Sequence, residues 1–334
     1  MRRQLSVAAA QVGGIQPGET REEVVRRLIL LLEEAAARST RLVVFPELTL
    51  TTFFPRYWAQ DLASTDRWFE TEMPGPSVQP LFDRARELGV GFYLGYAELT
   101  GDGHRYNTSI LVDSTGRIVG RYRKIHLPGH ARPVGDEQAP QHLEKHYFEV
   151  GDLGLGVFDV DGVRIGMCLC NDRRWAEVYR VLALQGAEVV VLGYNSPLGL
   201  PGWQPEPHHM MSAHLLSLQA GAYQNSLWVV AAAKAGVEDG AEMIGGSALV
   251  SPAGEVVARA TGTGDEVVQT VADLDLAAAY RAEIFDFEAH RRPDQYRLIT
   301  ERTGRGAPVP VPGQVPEPLT GHGPRIATTT QETR

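Results

Sequence analysis

The sequence predicts an α/β protein in which a mixed β-sheet is covered on its outside by helices, and three observations carry that prediction. Segments with an apolar face at helical spacing alternate with short apolar runs of strand character from residue 5 to beyond residue 276. Several strands are separated by turns of only a few residues, which join antiparallel partners, so the sheet cannot be purely parallel. The chain of 334 residues is 43% hydrophobic and 22% charged, enough apolar material to bury a large core. No repeat of fixed period and no linker interrupts it, so a single domain over residues 1–302 is expected. Residues 303–334 are Gly/Pro/Thr-rich, without a periodic apolar face, and read as a tail that is mobile or laid on a neighbouring subunit.

In chain order, residues 5–11 form a short apolar strand. Thr20-Arg21-Glu22-Glu23 reads as a capping box, and Val24, Val25, Leu28, Leu31, Leu32 and Ala35 give the helix it opens one apolar face. Residues 41–45 make the next strand, which delivers Pro46-Glu47, and a second helix over 77–88 is stopped by Gly89. Strands follow at 91–98, 108–112 and 118–122, the last two across Asp113-Ser114-Thr115-Gly116. Residues 126–150, rich in Gly, Pro and His, read as a long loop, and such loops in a compact domain are usually functional. Residues 155–160 and 163–169 form a hairpin over Asp161-Gly162 that ends in Cys170. A helix at 177–185, stopped by Gly186, precedes a strand at 188–192. After a Pro-rich loop over 195–207 come a helix at 210–223, strands at 227–233, 247–250, 256–260 and 267–272, and a helix starting near Leu276.

Lys and Arg number 32 against 41 Asp and Glu, a net charge of −9, which argues against a nucleic acid or anionic membrane as partner and for a small molecule. Arg2-Arg3 stand at the N-terminus, but the apolar stretch behind them is broken by Gln11 and Gly13-Gly14, so no signal peptide is read. No apolar run approaches the ~18 residues of a membrane helix, and a soluble, cytoplasmic protein is expected. The two cysteines, Cys168 and Cys170, lie one residue apart; a bridge across so short a span would be strained, and two free thiols fit a reducing compartment.

Three predicted strands end in residues of chemical interest: Glu47, Lys124 and Cys170. Ligands in open α/β sheets collect at the carboxyl ends of strands, so the three make a plausible single site. Their chemistry is coherent. A thiol needs a base or a positive neighbour to become a nucleophile, and a carboxylate with an ammonium supplies both, the ammonium also stabilising an oxyanion. Arg173 and Arg174 follow the cysteine at an apparent helix entry, where a guanidinium fork suits a substrate carboxylate.

Phe45-Pro46-Glu47, Arg121-Tyr122-Arg123-Lys124-Ile125-His126-Leu127 and Cys170-Asn171-Asp172-Arg173-Arg174-Trp175 resemble the three catalytic signatures of the nitrilase superfamily. Within it, Thr51-Thr52-Phe53-Phe54-Pro55-Arg56, Glu72-Met73-Pro74-Gly75-Pro76, Asn107-Thr108-Ser109-Ile110-Leu111-Val112-Asp113, His126-Leu127-Pro128-Gly129-His130 and Gln141-His142-Leu143-Glu144-Lys145 resemble the N-carbamoyl-D-amino acid amidohydrolases. The match runs to about residue 302. The resemblance implies an α-β-β-α sandwich, a Glu47-Lys124-Cys170 triad with Glu144 as second carboxylate, and hydrolysis of N-carbamoyl-D-amino acids without a metal or other cofactor. By the same resemblance Lys124 and the Asn171 N–H hold the oxyanion, and Arg173, Arg174 and Asn195 serve the substrate carboxylate. It also implies a homodimer or homotetramer. The chain departs from that pattern at Ser196, where the relatives carry threonine, at Cys168, where they carry a larger apolar residue, and over residues 131–139, which leaves side-chain preference open.

Simpler readings compete for several residues. Cys168, inside its strand, is a buried small hydrophobe. His126 and His142 read as hydrogen-bonded supports or pocket lining. His208, His209 and His214 lack the i, i+4 spacing of a helical metal site, and Gly151-Asp152-Leu153-Gly154-Leu155-Gly156 lacks the strand and helix that flank a dinucleotide loop. Two other functions remain open: a related hydrolase acting on a β-ureido acid, carbamoyl amine, amide or nitrile, and an inactive scaffold relative.

Overall fold

The computed structural model describes residues 2–199 and 205–306. The chain up to Phe287 forms one compact unit, and Glu288 begins a second. In the second, residues 288–302 bury no side chain, and its short turns at Pro293–Gln295 and Arg297–Glu301 are solvent-exposed. The expected tail over 303–334 lies outside the described residues from 307 onward.

Strand β1 (Gln4–Gly13) alternates between two cores. Val7 and Ala9 enter one, Ala8, Ala10 and Val12 the other. Period-two alternation with both faces apolar is what a strand covered on both sides requires. β2 (Leu42–Val44) repeats it, with Leu42 and Val44 in the first core and Val43 in the second. The second core is closed by helix α1 (Arg21–Ala37), whose six predicted apolar residues are the six it buries. Its capping box forms: Thr20 Oγ1 accepts the Glu23 N–H at 3.2 Å, and Glu23 Oε2 accepts the Thr20 N–H at 2.8 Å, an arrangement worth ~1 kcal/mol. Helix α2 (Gln79–Leu88) ends on Gly89 in the left-handed conformation, at φ 64°, and packs beside α1.

β3 (Gly91–Leu99), β4 (Arg105–Val112) and β5 (Ile118–Arg123) extend the sheet as an antiparallel meander beside β2. The single helical turn α3 (Glu144–Tyr147) precedes the hairpin of β6 (Val157–Val160) and β7 (Val163–Leu169). Asp161 and Gly162 at its turn have φ 51° and 83°, the geometry that two-residue hairpins favour. Then come α4 (Ala176–Leu184), β8 (Val189–Tyr194), α5 (Pro207–Asn225), β9 (Trp228–Glu238), β10 (Ala241–Ile244), β11 (Ala248–Val250), β12 (Val256–Arg259), β13 (Glu266–Asp273) and α6 (Leu274–Glu283).

The main path runs β5-β4-β3-β2-β1-β9-β8-β7-β6, with β13 on β1, β10 and β11 on β9, and β12 on β11. β1 meets β9 only at Val12↔Lys234 and Gly13↔Ala235. There the sheet folds into two halves sharing one core, to which Tyr93, Leu111 and Tyr122 come from one half and Met167, Val191 and Val230 from the other. Tyr93 bridges the halves by donating to the Cys168 carbonyl at 2.9 Å. Helices α4 and α5 cover the second half with Val178, Tyr179, Leu182, Leu218 and Ala222. The layers are therefore helices, sheet, sheet, helices. Two segments differ from the sequence reading. The loop over 126–150 contains α3, and β9 extends to Glu238 to pair with the unanticipated β10.

Candidate active site

Three strand ends and α3 converge between the halves of the sheet. After β2 the chain threads between β3 and β8, and two glycines permit its passage. A Cβ at Gly95 would lie 2.7 Å from the Pro46 oxygen, and one at Gly193 would lie 2.4 Å from the Glu47 nitrogen. Any larger residue at either position would displace the Glu47 backbone. Glu47 is fully buried; its Oε1 accepts from Asn107 Nδ2 at 2.8 Å, and its Oε2 accepts the Asn195 N–H at 2.9 Å. Asn195 Nδ2 also donates to the Glu47 carbonyl at 3.0 Å.

Lys124 leaves β5 with its N–H bonded to the Asn107 carbonyl at 2.9 Å. Its buried ammonium donates to Glu47 Oε1 at 2.6 Å and to Glu144 Oε1 and Oε2 at 2.9 and 2.7 Å. Burial opposes the charge on Lys124, but Cys170, Glu144 and Glu47 outweigh it and raise the ammonium pKa. Burial likewise pushes Glu144 toward its neutral form, yet Lys124 and His142 hold its carboxyl below the usual value. His142 Nε2 lies 3.1 Å from Glu144 Oε1.

Cys170 opens the 3-10 turn Cys170–Arg174 at φ 45°, a left-handed conformation uncommon for a residue with a side chain. It is 2% exposed. Burial and then the Glu47 charge push its thiol up to about 11, against the pull of Lys124 and Arg173. The resting group is therefore a protonated thiol, and Sγ lies 3.6 Å from the Asn195 carbonyl as donor. A carboxylate base is what such a thiol needs to attack. Asp172 pins the turn: its carboxylate accepts from Tyr122 OH at 2.7 Å, the Leu169 N–H at 2.9 Å and the His126 N–H at 3.2 Å. His126 Nδ1 is 2.7 Å from the same carboxylate, and Asn171 Nδ2 donates to the His126 carbonyl at 3.1 Å. Cys168 is buried on the same face of β7 as Gly166, the face that packs against α4, and burial raises its thiol well above the usual value.

The two arginines separate. Arg173 is 2% exposed and donates to the Cys170 carbonyl at 2.7 Å, Ser196 Oγ at 3.0 Å and His214 Nδ1 at 3.1 Å. Because Nδ1 accepts, the neutral His214 carries its proton on Nε2, which faces Tyr194 OH at 2.9 Å, and Tyr194 donates onward to the Gly245 carbonyl at 2.7 Å. Burial and then the Arg173 charge hold His214 well below its usual pKa, consistent with that tautomer. Arg174 is exposed and donates to Asn171 Oδ1 at 3.0 Å. Repulsion from Arg173, then burial, lower its guanidinium to about 10. Neither arginine has an ion pair with a described carboxylate.

Every site residue expected from the sequence thus lies in one region. Asn107, Tyr194 and His214 belong to it as well. Asn107 faces both carboxylates because β4 pairs with β3 and β5, a placement that no local signal encodes. The Oδ1 atoms of Asn107 and Asn195 are buried without a hydrogen-bond partner, leaving two open acceptors. A cleft of about 500 Å³ is lined by Phe53, Arg56, Gln141, Pro197 and Glu242; Glu47, Lys124, Glu144 and Cys170 do not line it, and it adjoins them through Gln141 and Pro197, the chain neighbours of His142 and Ser196. No cluster of metal-ligating side chains occurs among the described residues.

A layered α/β fold that brings together a thiol, a buried carboxylate and a clamped ammonium fits the class of carbon-nitrogen hydrolases. The sequence model of that class, carbon-nitrogen hydrolase, matches residues 6–282, and the chain belongs to this family, within the nitrilase superfamily. It is 32% identical to a nitrilase of Pyrococcus abyssi over 272 residues, covering 80% of this chain and 90% of the relative. It is 28% identical to the N-carbamoylputrescine amidase of Arabidopsis thaliana, covering 91% and 97%. The fold matches the crystal structure of a carbon-nitrogen hydrolase from Helicobacter pylori G27 with a TM-score of 0.77, 22% identity and coverage of 90% and 99%.

Proposed function

We propose that the chain hydrolyses N-carbamoyl-D-amino acids to D-amino acids, ammonia and carbon dioxide through a covalent intermediate on Cys170. The observation that carries the carboxylate-bearing substrate is Arg173, a buried cation whose partners Cys170, Ser196 and His214 are all neutral. A buried charge is normally paired, and a substrate carboxylate completes it. Arg173 supplies the field and holds the floor, while Arg174, with most of its donors open, makes the direct contact. The open acceptors on Asn107 and Asn195 favour a substrate with N–H groups, which a ureido group has and a nitrile lacks.

In this reading Glu47 takes the thiol proton as Sγ attacks the ureido carbon, and Lys124 with the Asn171 N–H holds the oxyanion. Glu47 passes the proton to the terminal nitrogen, the carbon–nitrogen bond breaks and ammonia leaves. Water, deprotonated by Glu47, then adds to the carbamoyl thioester. Its collapse returns the proton to sulfur and frees a carbamate, which loses carbon dioxide. Glu144 keeps Lys124 charged and aimed.

A second reading is a carbamoylated amine, favoured by the exposed Glu242 carboxylate on the cleft, which suits a distal ammonium. Ammonia release from N-carbamoyl-D-phenylalanine, its L enantiomer, its carboxamide analogue and N-carbamoylputrescine separates the readings. The D acid should turn over fastest, and Arg174→Ala should lower its kcat/KM by about 10-fold to 150-fold, the equivalent of the ~1.5–3 kcal/mol of a hydrogen bond to a charged group. Equal rates for both enantiomers, or undiminished turnover of the carboxamide, overturn the proposal.

A further inference from the structure

Lys234, Glu238 and Arg56 are 0%, 0% and 2% exposed, and the chemistry above uses none of them. Lys234 and Glu238 share one face of β9, four residues apart, which in a regular strand is ~13 Å. Gly236, at φ 71°, breaks the extended backbone between them, and the Lys234 Nζ–Glu238 Oε2 distance closes to 2.8 Å. Arg56 Nη2 lies 3.7 Å from Glu238 Oε1, and Arg56 Nη1 donates to the Glu238 carbonyl at 2.7 Å.

Besides the Ile15 N–H, which Glu238 Oε2 accepts at 3.0 Å, these charges bond one further piece of backbone. Lys234 Nζ donates to the Thr51 carbonyl, and Glu238 Oε1 accepts the Phe53 N–H at 2.7 Å. The segment so held runs on from Glu47 and bears Phe53 and Arg56, which line the cleft. Its Pro55 and Arg56 carbonyls accept the Leu143 and Gln141 N–H groups at 2.9 and 2.7 Å, immediately before Glu144. Arg56 Nη2 also rests on Met243 Sδ at 3.7 Å, beside Ile244, whose N–H bonds the Ser196 carbonyl at 2.9 Å. Three walls of the cleft thus meet on one buried ionic group. Its charge balance is complementary to the site: two cations and one carboxylate here, two carboxylates and one ammonium at Glu47, Glu144 and Lys124.

We propose that Lys234, Glu238 and Arg56 are positioning residues that set the Thr51, Phe53 and Arg56 wall of the cleft and, through it, the segment carrying Glu144. Their loss weakens substrate binding more than the covalent step. Lys234→Met and Arg56→Met each remove one cation and leave a balanced pair, so either one can serve if the other fails to fold. The readout is KM against kcat by ammonia release, on whichever carbamoyl, amide or nitrile compound the wild type turns over fastest. That choice keeps the outcome independent of the D-carbamoyl reading. We expect KM to rise at least ~10-fold with kcat within about threefold. Amide exchange should accelerate at residues 51–56 and 141–144 while 163–169 stay protected. An unchanged KM in a folded variant overturns the proposal, as does exchange that is unaltered at those two segments or accelerated throughout the chain.

Discussion

Replacing Lys124 by methionine tests the central electrostatic claim, because it keeps the apolar stem and deletes only the ammonium. In the native site that ammonium sits 2.6 Å from Glu47 and 2.7 Å from Glu144, all three groups being fully buried. Without it two carboxylates face one another in a low-dielectric interior, and removing one partner of a buried ion cluster costs ~3–5 kcal/mol. At ~2 °C per kcal/mol for a chain of this length, the melting temperature at pH 8 should fall by about 6–10 °C. The pH dependence has a definite sign. In the wild type the Glu144 pKa is lowered, so its contribution is present above the ordinary carboxylate range and is lost as pH falls through the lowered value. In the variant the carboxylate pair binds a proton more tightly than the unfolded chain does. The stability deficit should therefore be greatest at pH 8 and shrink toward pH 5. Scanning calorimetry at fixed protein concentration measures both effects. Adding Glu144→Gln should recover most of the melting temperature and none of the activity. A Lys124→Met protein that melts within 2 °C of wild type, or with a loss independent of pH, would refute the reasoning.

Two further outcomes follow from the thiols. Since burial and Glu47 push Cys170 up to about 11, alkylation by iodoacetamide in the absence of substrate should accelerate about tenfold per pH unit between pH 7 and 10. Turnover, with Glu47 removing the proton, should not follow that slope; parallel pH profiles would show that a pre-formed thiolate is the reactive species. Cys170→Ser should lose at least ~10³-fold in kcat, while Cys168→Ala, buried on the face of β7 that α4 covers, should keep activity and lose about 1 kcal/mol of stability. An inactive Cys168→Ala protein that melts like wild type would overturn that assignment.

Much of the fold was legible because local rules decided it. The Thr20–Glu23 capping box and the Asp161-Gly162 turn are short-range devices, and both formed where the residues stand. The β9–β10 hairpin was just as legible: Asp239-Gly240 carries the same turn signature, at φ 48° and 77°, but a four-residue strand with an exposed glutamate is weakly periodic. What could not be read is what long-range pairing assembles. Glu47, Lys124 and Cys170 announced themselves by their neighbours in sequence, whereas His214 lies mid-helix, 41 residues from the Arg173 it meets, amid neighbours that give no hint of that contact. Lys234 and Glu238 look like an ordinary solvated face; only Gly236 between them hints that the strand turns back on itself.

The backbone of Cys170 has a practical consequence for trapping complexes. At φ 45° the proposed nucleophile occupies a conformation that glycine adopts freely and any residue with a Cβ resists by ~1 kcal/mol. The customary inert variant with alanine therefore keeps the strain that cysteine already bears at this turn. A glycine there removes the sulfur and relaxes the turn at once, which makes Cys170→Gly the better scaffold for capturing an intact substrate.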